Sequence, residues 1–447
     1  MAISSRRATI ALAASLSILA AAAPARADSV AWDITEGLTT EIGPRAAGSE
    51  AEARARDWAS AKLTALGFAN VRIEPFTVRG YVRGTDRARL VAPYQQPLAI
   101  TALGYSGATP AQGIEGELVY FPTLDALKAA PAGSLAGKIA FIDHAMRPTQ
   151  DGSGYGVYGT ARRQGPAIAA QKGAIGVVIR SIGTDSHRTP HTGTTNFPEG
   201  VAPIPAGAVS NPDADLIARI AARGGAPMRL ALTLTGETRE DMPSGNVIGE
   251  LVGRDPRLPP ILVACHLDSW DQGTGAIDDA SGCGIVTDAA LRAQAGGKAL
   301  RTIRVLWAGS EEIGLWGGAA YGRAHAAEPH ALAMESDFGA DRVWSVRFRF
   351  GTGHALLRER IAAALAPLGI VAQDGRASGG ADVAAIIAAQ KLAVIDLGQD
   401  GTHYFDLHHT PDDTLDKVDP AQLEQNVEAW TRVLAIVANE AGPISGE

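Results

Sequence analysis

The chain has 447 residues, of which 46% are hydrophobic and 20% charged, so it is long enough for two or three domains with a sizeable core and is not a disordered composition. Its net charge of -8, without any basic run, excludes nucleic acid and anionic membrane surfaces as partners and suits a small neutral or cationic substrate.

Residues 1–27 carry Arg6 and Arg7, an apolar stretch from Ile10 to Ala23, and then Ala25-Arg26-Ala27, which has the A-x-A form of a cleavage site. The apolar stretch is shorter than a membrane span. An export signal is expected, with the mature chain starting at Asp28 and released to the periplasm or outside the cell. Ser5-Arg6-Arg7 leaves the general secretory and twin-arginine routes both open.

Ser49 followed by Glu52 makes a capping box, and AEARARDWASAKLTAL behind it predicts a long helix that stops at Gly67. VRIEPF at 71–76 and the segment 87–103 read as strands, closing a first segment at 28–106. Between 107 and 237 the short strands of GELVYFP, KIAFIDH, AIGVVIR and MRLALTLTG are separated by helical ARRQGPAIAAQKG and NPDADLIARIAARG, which predicts a compact α/β insert. Its loop SHRTPHTGTTNFPEG holds His187 and His191 among turn formers with no carboxylate at ligand spacing, and reads as a surface or rim loop.

From 238 to 447 the first domain resumes. NVIGELVG, ILVACH, TIRVLWAG, ALAMES and KLAVIDLG are apolar runs of strand length, with helices at 281–294 and 354–366 between several of them. That alternation predicts an α/β fold, a three-layer α/β/α sandwich around a mostly parallel central sheet. Ligands of such sheets gather at the carboxyl ends of the strands.

Four of five candidate metal ligands stand just after such runs: His266 in VACHLDS, Glu312 in WAGSEEIG, Asp337 in AMESDFG and His409 in DLHHTPDDT, the fifth being Asp278 in GAIDDASG. Imidazoles and carboxylates without thiolates are what a pair of catalytic zinc ions takes. Glu311 is a spare carboxylate beside Glu312, free to face a water as a base. Asp268, two residues past His266, is placed to accept the second N–H of the imidazole and fix its tautomer. Each group also has a plainer reading: Asp278 and Asp279 as a helix cap, Glu311 and Glu312 as solvated acids at a helix start. Glu335 competes with Asp337, and His408 with His409. Cys265 and Cys283 flank the candidate site, either paired or free.

HLDSWDQGTGAIDDASG, AGSEEIGLWGG, MESDFG and HHTPDDT resemble the motifs of the family-28 co-catalytic zinc metallopeptidases, and IRSIGTDSHRTPHTG with PIPAGAVSNPDADLI resembles their protease-associated domain. The likeness covers nearly all of the mature chain. It implies a zinc-peptidase fold with an inserted protease-associated domain over the cleft mouth. It also implies two Zn2+ ions bridged by Asp278, one held by His266 and Asp337, the other by Glu312 and His409. Glu311 becomes the general base toward a zinc-activated water, the substrate a small peptide, and the assembly a homodimer. His409 is preferred to His408 because the family's histidine precedes its Asp-Thr pair by four and five residues, as here with Asp413 and Thr414.

Tyr404, five residues before His409, is a candidate hydroxyl donor to the oxyanion, with a buried structural tyrosine as the equal alternative. Ser378-Gly379-Gly380 with Asp382 is a candidate pocket loop. The nearest part of the family favours free dipeptides or carboxy-terminal residues, whereas the wider family holds many aminopeptidases. His403 or Arg376 would suit a substrate carboxylate, and Asp382 an ammonium. The competing functions are a glutaminyl cyclase-like transferase with one zinc and a non-catalytic receptor-like binding module.

Overall fold

The computed structural model describes residues 29–446, so the expected export signal at 1–27 lies outside the described residues. The described residues build two eight-stranded sheets. At the centre of the first, Ile303–Ala308, Ile261–His266, Leu332–Glu335 and Ala393–Gln399 run parallel. Glu237–Leu251 and Ala69–Val82 add antiparallel strands on one side, and Val343–Arg349 adds one on the other.

The central strands are buried on both faces, which is why they read as unbroken apolar runs. Alternation divides their side chains. Val263, Val305 and Trp307 pack in one cluster with Ile285 of Ser281–Ala293 and Trp430 of Pro420–Val437. Leu262, Ala264 and Leu306 face the other way, against Tyr321 of Trp316–Ala324 and Ile386 of Ala384–Gln390. Each such Leu, Ile or Val side chain buried stabilises by about 1.5–3 kcal/mol. The α/β/α sandwich is therefore as expected.

Half of the capping box at Ser49 forms: Ser49 Oγ accepts from the Glu52 amide at 3.1 Å, whereas Glu52 Oε2 reaches one residue further back and accepts from the Gly48 amide at 2.7 Å. The helix Glu50–Ala65 ends before Gly67, whose φ of 86° suits glycine.

The second sheet differs from the expected boundary at 107. It runs Gln96–Leu98, Asp86–Ala92, Arg229–Leu234, Ile114–Phe121, Ile139–Ile142, Gly176–Arg180, Ala206–Val209 and Ile100–Ala102. Strands between 86 and 102 thus belong to it, because Asp86–Ala92 pairs with Arg229–Leu234 and Ile100–Ala102 with Ala206–Val209. Among the described residues no helix is long and apolar enough to cross a membrane.

Candidate metal centre

The carboxyl ends of the four central strands converge, and the five candidate ligands meet there. His266 ends its strand, and Asp278 follows in the turn Ala276–Ala280. Asp278 Oδ1 lies 3.0 Å from His266 Nε2, and its Oδ2 lies 3.4 Å from His409 Nε2. Asp337 Oδ1 is 3.4 Å from His266 Nε2, and Glu312 Oε2 is 2.6 Å from His409 Nε2. One carboxylate thus stands between two donor pairs, each an imidazole with a carboxylate.

Asp279 turns away to a supporting role: it accepts from the His266 and Gly282 amides, both at 3.1 Å. Glu335, the competitor of Asp337, is engaged by the amides of Ala381, Asp382 and Val383 at 2.8–3.1 Å. The helix after Glu311 and Glu312 starts only at Trp316, so these acids are not its first turn.

The expected contact between the Asp268 carboxylate and the His266 ring is not made. His266 Nδ1 faces the main-chain carbonyl of Asp268 at 3.0 Å, and the carboxylate stands 3.8 Å off. That carboxylate instead accepts from the amides of Glu311 at 2.9 Å and Glu312 at 3.3 Å. The turn after the strand Ile303–Ala308 leaves these two N–H groups without main-chain partners, and a buried carboxylate satisfies both. Asp268 therefore ties the His266 strand to the turn that presents Glu311.

The donors fit bound metal. Asp278 Oδ2 and Glu312 Oε1 are buried without a hydrogen-bond partner, although buried polar atoms otherwise find one. Burial and the neighbouring Asp337 and Glu312 push the Glu311 carboxyl well above the usual range, while burial lowers His409 to about 4, leaving a neutral imidazole. Cations at this centre would relieve the crowd of carboxylates.

A cavity of about 560 Å³ opens at these groups, lined by Glu311, Asp278, Asp337 and Tyr404 and by Arg162 and Arg163. Tyr404 is buried, its ring 4.5 Å from that of Phe338. Ser378, Gly379 and Gly380 line a second cavity of about 310 Å³ that shares Asp337. Asp382 is fully buried and lines neither cavity, and His403 and Arg376 are exposed outside both.

Sequence reasoning missed four residues. Arg45 donates to the carbonyls of Leu267, Thr274 and Gly275 behind the site. His191, expected on a rim loop, is buried with Nε2 2.8 Å from His408 Nδ1. Arg162 and Arg163 reach the cavity from the helix Thr160–Gln171. Lone cations and a loop of turn formers carry no local signal for such roles. Cys265 and Cys283 are joined in a disulfide.

An α/β/α sandwich with paired imidazole and carboxylate donors at its strand ends, and a spare glutamate beside them, defines a metal-dependent hydrolase. The model of peptidase family M28 matches residues 246–434. Carboxypeptidase Q of Bos taurus is 31% identical over 406 residues, covering 90% of this chain and 84% of that protein, and the Homo sapiens protein is 31% identical over 408 residues with the same coverage. A solved peptidase M28 precursor from Shewanella amazonensis SB2B superposes with a TM-score of 0.90 at 46% identity, covering 94% of this chain and 95% of that one. A zinc aminopeptidase from Bacillus subtilis shares the fold, with a TM-score of 0.62 at 18% identity over 92% of this chain and 95% of that one. The chain belongs to peptidase family M28 and is a zinc metallopeptidase.

Proposed function

We propose that the protein is an exported di-zinc exopeptidase that cleaves free dipeptides or carboxy-terminal residues of short peptides. The observation that carries the two-ion reading is Asp278, whose Oδ1 faces His266 and whose Oδ2 faces His408 at 3.2 Å and His409 at 3.4 Å, of which His409 alone also meets Glu312. His266 and Asp337 would hold one ion, Glu312 and His409 the other, with Asp278 shared. Bound zinc supplies acidification of water and polarisation of the scissile carbonyl. Glu311, on the wall of the cavity beside the proposed ligands, takes the proton of the attacking water and returns it to the leaving amine. Tyr404, which lines the cavity, would donate its hydroxyl to the developing oxyanion.

The preference for a free carboxyl end rests on Arg162 and Arg163. Arg162 is buried, its guanidinium stacks over Tyr155 at 5.4 Å, and its Nε has no partner. The Arg162 guanidinium donates to a neutral acceptor, the Thr192 carbonyl at 2.6 Å, and a buried guanidinium is costly unless an anion meets it. A substrate carboxylate fits that need. The segment carrying the second sheet, which we read as a protease-associated domain, thereby limits and selects the substrate. Export agrees with the pattern at 1–27 and with the Cys265–Cys283 disulfide, which persists in oxidising compartments.

The test is a matched panel on purified mature protein with zinc quantified: free dipeptides, amino-terminally blocked dipeptides and aminoacyl anilides. Cleavage of free or blocked dipeptides, with KM raised at least tenfold by Arg162→Met, supports the reading. Anilide cleavage unaffected by Arg162→Met replaces it with an aminopeptidase.

A further inference from the structure

His409 is oriented by a segment far from it in the chain. Its Nδ1 lies 3.0 Å from the main-chain carbonyl of Thr192. A carbonyl only accepts, so Nδ1 carries the proton and the bare Nε2 is turned to Glu312 and Asp278. His408 is held differently: its Nδ1 faces another imidazole, that of His191, and its Nε2 lies 3.2 Å from Asp278 Oδ2 without reaching Glu312.

Thr192 is itself gripped. It is fully buried, its carbonyl also accepts from Arg162 Nη1 at 2.6 Å, and its hydroxyl accepts from Trp270 Nε1 at 2.8 Å. The amide of His191 before it donates to Ser181 Oγ at 2.8 Å. After it comes Gly193, where a Cβ would meet the Arg162 guanidinium at 2.2 Å. The Trp270 ring lies 4.8 Å from the His409 ring and tilted by only 10°, with His408 at 3.7 Å. The indole that anchors the Thr192 hydroxyl therefore also sets the plane of the imidazole whose tautomer the Thr192 carbonyl sets.

We propose that Thr192 is a positioning residue for His409, so that the zinc site of Glu312 and His409 is complete only when the segment carrying the second sheet is seated on the catalytic one. This rests on His409 being a ligand. Hydrogen-bond partners of metal-bound histidines of this kind are worth about 10–100-fold in metal affinity.

The experiment is zinc titration of the full mature chain against a competing chelator, for wild type, Thr192→Val, Thr192→Ser and Trp270→Phe. Thr192→Val and Trp270→Phe, which keep the carbonyl but remove its anchor, are expected to weaken one of the two zinc ions by up to about tenfold and leave the other at wild-type affinity. Thr192→Ser, which keeps the hydroxyl, is expected to stay near wild type. Unchanged affinities in both Thr192→Val and Trp270→Phe, or equal weakening of both ions, would overturn the proposal. Should Thr192→Val not fold, Trp270→Phe, which keeps a stacking ring without the N–H, decides alone. His409→Ala separates the underlying reading: retention of both ions there would remove His409 as a ligand, whatever Thr192 does.

Discussion

The guanidinium of Arg45 donates to the carbonyl of Leu267 at 2.6 Å, one residue past His266. Its other nitrogens hold Thr274 at 2.6 Å and Gly275 at 2.9 Å, on the loop that leads to Asp278. Arg45 thus fixes both chain segments that deliver His266 and Asp278 to the metal centre. Burial lowers its pKa, opposed by the carboxylates of Asp413, Asp268, Asp279 and Asp278.

Arg45→Met is expected to strand three carbonyls in a dry interior, costing at least about 3 kcal/mol of stability and weakening zinc binding. Arg45→Lys should not rescue it, since an ammonium cannot span the three directions of the guanidinium fork. Denaturant midpoints and zinc affinity of the two variants check this; wild-type values in Arg45→Lys would contradict it.

Glu52 gives a pH dependence. It is fully buried, held by Arg56 Nη1 at 2.9 Å and Ser244 Oγ at 2.5 Å, and burial raises its carboxyl to about 7 from an ordinary 4.5. The folded state therefore binds more protons than the unfolded one between those values, so this group's contribution is full below about pH 4.5 and is lost as pH rises through about 7. Glu52→Gln, which imitates the protonated form, should gain on wild type with rising pH, by up to about 3 kcal/mol above pH 7. Urea denaturation at a series of pH values measures the gap, and a gap that does not change with pH would refute it.

Cys265 precedes His266, and Cys283 lies in the helix Ser281–Ala293 that follows Asp278. The disulfide closes a loop with a sequence separation of 18 that contains His266, Asp268 and Asp278. The double variant Cys265→Ala with Cys283→Ala is expected to lose about 3 kcal/mol through loop-closure entropy. Unfolding midpoints of the oxidised wild type and the variant should differ accordingly, and equal midpoints would count against it.

The sandwich was legible because its central strands are buried on both faces and read as apolar runs, and the ligands because four of the five follow such a run. The short strands Val343–Arg349 and Val371–Ala372 escaped, being partly exposed and irregular in hydropathy. So did the pairing of Asp86–Ala92 with Arg229–Leu234, since nothing local in either strand announces a partner more than a hundred residues away. At the site, the side chains that touch the donors were readable, whereas Arg45, Thr192 and Arg162 act across sequence separations of 30 to 230 residues. The Asp268 carboxylate was placed on the wrong partner because the two orphan amides of the Glu311 turn exist only in three dimensions.

The most direct test of the account is turnover and zinc content measured on one preparation of Glu311→Gln. The amide keeps the size of the side chain but cannot accept the proton, and Glu311 is not among the ligands assigned here. The expected result is two zinc ions per chain with kcat lowered by about 10²–10⁴-fold. Wild-type turnover with both ions bound would contradict the assignment of Glu311 as the general base.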